Sequence, residues 1–477
     1  MTDTTTHPGA TLERLGPDAI RSLADGLRGD LVTPDDDSYD EARRVWNGLV
    51  NEYPALIARC AGVADVMTAV EFAREHDIRL SIKSGGHHET GSAIVQSGLV
   101  IDLGEMNSVQ VDPVERTARV EPGVSAGDLH HETQQFGLAA PTGSADDIGI
   151  GGSTLSGGLG WLRRKHGLGI DALRSIDVVT AEGDLRRASR ERNEDLFWGL
   201  RGAGGNFGVA TAFEFDLYPV GPEVMALGVF YPAEEGRTVL RGFHEFVTDA
   251  PEELSALVLS GHVPSLPMIP PEVQGREAIG LMGCYAGSID EGEAVVAHLR
   301  ELADSLVDLS GPMPFLALHE LGSAMFPDGR NYCWRSAFVE ELTEDLQEAV
   351  LEYGERAPSE LCSVSVWPID GRVQDVATDS TAFPWRDSNY MLTVEANWEG
   401  TDSTTYIEWA RETDATFREL GATGAYAGFP GLDGGDEDLA RMVYGENYER
   451  IAALKSEYDP SNLFRETSNV PPADDQV

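Results

Sequence analysis

The sequence predicts an α+β protein of two domains. Three observations carry that expectation. The chain has 477 residues, and at about 150 residues per domain that length suits two or three domains rather than one. The first half mixes short strands with short helices. From Glu223 onward, long strand-like runs alternate with long amphipathic helices, as in an antiparallel sheet covered on one face. Hydrophobic residues make up 41% and charged residues 24%, a globular balance with enough apolar material for a sizeable core. No run of eighteen apolar residues occurs, which excludes a membrane-spanning helix of ordinary length.

Taken in order, residues 1–49 read as a lead-in. The first 30 or so, and the acidic run Pro34–Asp37, are expected to be solvated. Ala55–Ala58 is an apolar strand, and Val63–His76 carries helical periodicity. Ile78–Lys83 alternates with period two, as a half-buried strand does. Leu99–Leu103 and Ala118–Pro122 are further strands. Ser175–Ala188 reads as a hairpin, with Ala181-Glu182-Gly183-Asp184 at the turn. Residues 50–222 form the first domain on this reading and 223–432 the second, whose strands are Val224–Tyr231, Leu254–Ser260, Ala278–Tyr285 and Tyr390–Ala396. Its helices are Arg237–Phe246, Asp290–Ser305, Thr343–Arg356 and Thr404–Leu420. Residues 433–477 return to the first domain, and Pro471–Asp475 is a frayed tail.

Charge is the strongest compositional signal. Eighty-one acidic residues against 35 basic ones give a formal net charge of −46. Such a surface repels phosphate backbones and anionic lipid, so nucleic acid and membrane are not expected partners. The acids are spread along the chain rather than gathered in one tail, which fits adaptation to a salt-rich cytoplasm where screening relieves their repulsion. The N-terminus has neither a basic region nor an apolar stretch, so a cytoplasmic protein is expected. Four cysteines (Cys60, Cys284, Cys333, Cys362) match neither a metal pattern nor a disulfide scaffold, and are expected to be reduced and buried. No metal site is expected.

Three glycine clusters lie in the first half: Ser84-Gly85-Gly86-His87, the run Gly149–Gly160 with further glycines at 151, 152, 157 and 158, and Gly202–Gly208. None is followed by the Lys-Ser/Thr of a phosphate-binding loop, and none fits GxGxxG. Loops of this kind bring backbone amides close to a ligand, and can hold a pyrophosphate without lysine. A nucleotide-bearing ligand outside a Rossmann site is therefore the expectation.

Read with their surroundings, these clusters carry a resemblance. Lys83-Ser84-Gly85-Gly86-His87, Pro141-Thr142-Gly143 leading to Ile148–Gly152, and Gly157-Gly158-Leu159-Gly160 are similar to the FAD-binding domain of the vanillyl-alcohol oxidase and p-cresol methylhydroxylase type. Leu196–Gly202, Gly208-Val209, Tyr444–Arg450 and Tyr458–Arg465 narrow the match to the berberine bridge enzyme-like oxidoreductases, in order from about residue 50 to 472. The resemblance implies a two-domain fold of that FAD-binding type with an antiparallel-sheet substrate domain. It implies FAD as cofactor, and oxidation of a small organic alcohol, amine or sugar by hydride transfer to flavin N5. A flavin-binding protein without turnover is the alternative, and oxygen or another molecule is the electron acceptor.

Residue by residue, the resemblance implies that His87 bonds covalently to the flavin, with His88 solvent-facing or hydrogen-bonded locally. Ala145 stands where some members carry a second, cysteinyl link, which leaves one link or none. Lys83 replaces the family's usual Arg. Ser84, Gly85, Gly86, Thr142, Gly143, Ile148, Gly149, Gly152, Gly157, Gly158, Gly160, Val209, Tyr444 and Asn447 match positions at the cofactor, with Tyr444 and Asn447 one turn apart if residues 445–453 are helical. Ile148 flanks the flavin in the family; its branched side chain would crowd oxygen and favour another acceptor, or it simply packs. Removing a hydride requires a partner proton to leave, so a base is needed. Tyr426 lies in the segment where related oxidases often carry their base, although Phe429 occupies the position several fill with Tyr. Glu395 is the other candidate, because Thr393, Glu395 and Asn397 share one strand face and Leu392, Val394 and Ala396 the other.

Overall fold

The computed structural model describes residues 8–432 and 437–473. The first seven residues of the expected lead-in, and Asp474 and Asp475 of the expected tail, lie outside the described residues. Four sheets organise the described chain. The first has four strands in the order 30–32, 56–59, 99–102, 80–83. Its last three strands run parallel, while Asp30–Val32 pairs antiparallel with Leu56–Arg59. Parallel neighbours need a crossover, which the helix Val63–Glu75 supplies between Leu56–Arg59 and Leu80–Lys83.

From Pro8 the lead-in is folded onto the core rather than solvated. Pro8–Gly26 is helical with a kink at Gly16, and its Leu23 is buried in the core that includes Val66, Ala69 and Val70. Leu12, Leu15 and Ile20 pack against the same core. Within an acidic composition these few apolar residues at helical spacing are enough to fix the segment on the first sheet. Asp35–Asp37 are exposed, as expected.

A five-stranded antiparallel sheet follows in the order 109–112, 117–120, 209–216, 173–179, 185–189, and contains the expected hairpin. A two-stranded ribbon joins residues 138–139 to 218–219. Beyond it lies an eight-stranded antiparallel sheet. Its path is 307–308, 223–232, 277–285, 254–262, 363–368, 390–398, 331–339, with 311–314 also paired to 223–232. The strands Asn331–Val339 and Ser363–Pro368 and the helix Phe315–Met325 have no counterpart in the expected list.

Strand alternation decides what each face of the large sheet does. Leu227, Val229, Val258, Leu281, Leu392 and Val394 point to one face, where they pack beneath the helices Gly236–Val247, Glu344–Glu355 and Thr404–Glu419. Phe230, Leu257, Leu259, Trp367 and Met391 point to the other, into a core shared with the five-stranded sheet. The site lies against that second face.

Two buried arginines fasten the glycine loop at 157–160 to the large sheet. Arg163 donates from Nε to Pro368 O at 2.7 Å and from Nη1 to Gly160 O at 3.1 Å. Arg164 makes a bidentate pair with Asp370 at 2.7 and 3.0 Å and donates to Leu254 O at 2.6 Å. A third, Arg386, is fully buried and pairs with Asp171 through Nη2–Oδ1 at 2.7 Å and Nη1–Oδ2 at 3.1 Å. It ties the approach to the strand Tyr390–Trp398 to the turn Gly169–Asp171. Arg386→Leu leaves the largely buried Asp171 carboxylate without its counter-charge, with the Leu168 amide at 2.9 Å as a remaining donor, so chemical denaturation should record a loss of about 3–5 kcal/mol. A loss under about 1 kcal/mol would contradict this role.

Candidate active site

Two cavities meet beneath the large sheet. The first runs between the glycine loops; the second lies against the sheet face that carries Ser363, Ser365, Trp367 and Glu395. His87, Ser144, Ile148, Trp367, Gly428 and Phe429 line both, so they form the junction.

The first cavity depends on a contact between backbones. A Cβ on Gly85 would stand 2.7 Å from Gly149 N, and one on Gly149 would stand 2.5 Å from Gly85 N. Glycine is required at both positions, because any side chain would force the two loops apart. At Gly152 and Gly205, which also line the cavity, a Cβ would meet nothing within 4 Å and would project into open space. Ile82, Leu103, Leu155, Leu159 and Phe464 supply apolar walls, and Arg465 is the cationic residue that lines it. Exposed loop backbone beside apolar walls and one arginine fits a ligand with a planar ring and a pyrophosphate. FAD fits this cradle.

Several expected cofactor positions come together here: Ser84, Gly85, Gly86, His87, Gly143, Ile148, Gly149 and Gly152 all line the first cavity. Others stand behind those linings. Lys83 turns away, donating from Nζ to Ala42 O at 2.8 Å with Asp102 at 3.6 Å, its partner across the parallel ladder. Thr142 hydrogen-bonds buried His130 at 2.9 Å. A Cβ on Gly160 would strike Thr142 O at 1.9 Å, so this glycine lets two loops pack. Gly158 is pressed against Gly169 and Gly157 against Tyr426. Val209 is core, while its neighbours Gly208 and Ala210 line the cavity. Tyr444 hydrogen-bonds Asn206, and Asn447 donates to Thr381 O at 3.2 Å. Residues 445–447 form a short 3-10 turn, and the following helix is Tyr448–Tyr458. These residues brace the loops that line the cavity.

Residues 464–467 and Gly204, Gly205 and Gly208 also line the first cavity. The third glycine cluster and the C-terminal motif were their signals. Buried Asn206 holds that loop, donating to Ala203 O at 2.6 Å and accepting from Val470 N at 3.0 Å. The Lys455 ammonium donates to Asn206 O at 2.7 Å and pairs with buried Asp459 at 2.7 Å.

The second cavity is largely apolar and aromatic, with Trp46, Trp161, Trp334, Phe326, Leu257 and Met282 in its wall. Three carboxylates line it: Glu395, Glu89 and Asp147. Glu395 accepts hydroxyls from Ser363 at 2.7 Å, Thr393 at 2.9 Å and Ser365 at 3.3 Å. Burial pushes its carboxyl above the ordinary range, against those three donors. Glu89, two residues after His87, was not singled out in the sequence. It is 1% exposed and accepts from Gly431 N at 2.7 Å and from Trp334 N. Burial pushes it up to about 8, against the two amides and Arg335.

Tyr426 is placed in the first cavity, against Gly157, and burial pushes its phenol up to about 12. Phe429 stacks edge-on to Trp334, with ring centroids 5.1 Å apart. His88 is bonded to Thr90 Oγ1 at 2.8 Å and Ala427 O at 2.9 Å, a local role rather than a solvent-facing one. Ala145 lines the second cavity, and the four cysteines are buried outside both cavities.

Glu89 joins the loop after His87 to the strand Asn331–Val339 and to the turn at residue 431. In Glu89→Gln an amide NH2 replaces one acceptor oxygen and faces a backbone N–H. Leaving a buried donor unpaired costs about 1–3 kcal/mol, so the thermal midpoint should fall. The variant should also remove a pH effect. The native carboxyl holds its proton up to about pH 8, whereas the unfolded one loses it near the ordinary carboxylate value, so wild-type stability declines as pH rises between those limits. An unchanged wild-type pH slope in Glu89→Gln would contradict the assignment.

The FAD binding domain family matches residues 54–189, and the berberine and berberine-like family matches 425–471. (R)-6-hydroxynicotine oxidase of Paenarthrobacter nicotinovorans is 34% identical over 466 residues, covering 94% of this chain and 97% of its own. An FAD-linked oxidoreductase of Dictyostelium discoideum is 27% identical, over 95% of this chain and 97% of its own. The crystal structure of 6-hydroxy-D-nicotine oxidase from Arthrobacter nicotinovorans superposes with a TM-score of 0.83 at 30% identity, covering 94% of this chain and 98% of that one. Chitooligosaccharide oxidase, 23% identical over 95% of this chain and 99% of its own, shares the fold with a TM-score of 0.82. By sequence and by fold, then, the chain belongs to the berberine bridge enzyme-like family of FAD-linked oxidoreductases.

Proposed function

We propose that this FAD-linked oxidoreductase oxidises a compact amine with an apolar body, out of the wider set of small alcohols, amines and sugars. The observation that carries the reading is the second cavity: an aromatic and aliphatic wall with the buried Glu395 and Glu89 carboxyls among its few polar groups. A sugar presents a hydroxyl on nearly every carbon and would leave most of them unpaired against such a wall. An amine with a hydrocarbon or ring body buries its carbon and offers one polar group.

FAD supplies the hydride acceptor. On this reading the glycine loops hold the pyrophosphate, and residues 223–432 serve as the substrate domain over an FAD-binding unit made of 50–222 and 433–477. Trp334 and Phe429 bury the substrate body and exclude water from the junction. Glu395 takes the proton from the substrate nitrogen, freeing the lone pair that assists departure of the hydride from the adjacent carbon. A carboxyl lifted by burial suits this task better than Tyr426, whose phenol at about 12 is too weakly acidic to stand ionised near neutrality. His87, at the junction of the cavities, carries the single covalent link to the flavin. Ile148 narrows the junction and favours an acceptor other than oxygen. The dispersed charge of −46 suits a salt-rich cytoplasm.

Anaerobic mixing with a panel of secondary and tertiary amines should bleach the flavin absorbance, while sugars should leave it unchanged. Bleaching by sugars alone would overturn the substrate class. Glu395→Gln should lower kcat/KM by about 10²–10⁴. In the wild type, kcat/KM should rise as pH increases through a value above the ordinary carboxylate range, because the base must first lose its proton; Glu395→Gln should lack that limb. An unaltered limb in the variant would remove Glu395 as the base.

A further inference from the structure

His87 does not stand alone at the junction. Its Nε2, buried and without an aligned hydrogen-bond partner, lies 3.3 Å from Asp147 Oδ1, within ion-pair distance, and the ring stacks on Trp46 with centroids 4.3 Å apart. Asp147 is held in turn by the helix Phe315–Met325: Ser323 Oγ donates to Asp147 Oδ1 at 2.7 Å and also contacts Asp146. That helix is packed close, since a Cβ on Gly322 would come within 2.8 Å of Ser144 O. Burial alone would raise the Asp147 carboxyl. His87, Ser323 and a backbone amide outweigh it and hold the group below its ordinary value, so Asp147 is an anion at neutral pH.

We propose that Asp147, oriented by Ser323, is a positioning residue for covalent attachment of the flavin. It holds the Nε2 proton of His87, leaves Nδ1 as the nucleophile, and stabilises the positive charge the ring acquires on bonding. The inference rests on the His87 linkage proposed above, and adds how the chain prepares that histidine.

The flavin 8α-methyl loses one proton to solvent, and the bond from His87 Nδ1 to that carbon forms. The electron pair released from the C–H bond leaves the ring system reduced by two electrons. Alkylation at Nδ1 makes the imidazole a cation that still carries the Nε2 proton. The neighbouring carboxylate compensates the cation until the Nε2 proton is released to solvent, which with the 8α proton supplies the two protons that dioxygen takes up. Because attachment occurs once per chain, slow entry of dissolved dioxygen past Ile148 suffices as the oxidant, taking two electrons and two protons to give hydrogen peroxide and returning the linked flavin to its oxidised form. Nothing in this sequence requires substrate turnover.

The test uses full-length apoprotein mixed with FAD in air. Covalent flavin is read as fluorescence of the acid-denatured chain, and total flavin as absorbance of the native protein. Wild type should become fluorescent, and His87→Ala should bind FAD but release all of it in acid. Asp147→Asn should bind FAD yet attach it at least tenfold more slowly, with Asp147→Glu recovering part of the rate. Where Asp147→Asn fails to fold, Ser323→Ala leaves the carboxylate in place but unanchored, and should also slow attachment severalfold. The aminoacyl flavin from digested wild type should be the Nδ1 isomer. Wild-type rates in both Asp147→Asn and Ser323→Ala, or an Nε2-linked product, would overturn the assignment. If wild type binds FAD and releases it all in acid, the His87 linkage itself is wrong and this inference falls with it. Amine-dependent bleaching tests the substrate reading separately.

Discussion

At one point in this chain two loops from different parts of the sequence touch backbone to backbone, where Gly85 meets Gly149 with no room for a single methyl group. Much of the site follows from that contact. It sets the distance between the loop that carries His87 and the helix Ile150–Leu155, and so the width of the cavity in which FAD fits. It brings Ile148, just before Gly149, to the junction of the two cavities, and Asp147 to the wall of the second. Substituted glycines elsewhere would cost local strain; here a side chain would move the two halves of the cradle apart.

Around that contact the chain spends buried charge in two ways. Arg163, Arg164 and Arg386 are closed by carbonyls and carboxylates on several elements, and hold the glycine loops to the large sheet. Such groups fix geometry, because each has several partners whose positions must agree. Glu89, Glu395 and Asp147 instead face the cavities. They sit within about two residues of His87, on the sheet face opposite, and beside His87 in space, so the reacting region is bordered by carboxyls whose protonation burial and neighbours adjust in opposite directions.

Much of this was legible in the sequence. The period-two run Ile78–Lys83 and the strand-like run Tyr390–Ala396 marked strands, and alternation put Glu395 on one face with Thr393 and Asn397, because strand geometry is local. The glycine loops announced a nucleotide-bearing ligand for the same reason. What escaped depends on contacts between distant residues. Glu89 looks like an ordinary loop acid until Trp334 and Gly431 close on it, and Asp147 until the helix with Ser323 arrives. Lys83 and Tyr444 matched the expected motifs, yet alternation and packing turned their side chains to Ala42 and Asn206. The helix Pro8–Gly26 was hidden by composition: few apolar residues at the right spacing outweigh many acids once a core receives them.

The most direct measurement is a crystal structure of the flavin-loaded protein. The flavin ring should lie in the first cavity, with density continuous from His87 Nδ1 to its 8α carbon, Asp147 within hydrogen-bond distance of Nε2, and the reactive edge of the ring open towards Glu395 and Trp334. A ring placed outside the Gly85–Gly149 cradle, or one whose reactive edge is closed off from the Glu395 cavity, would contradict that arrangement.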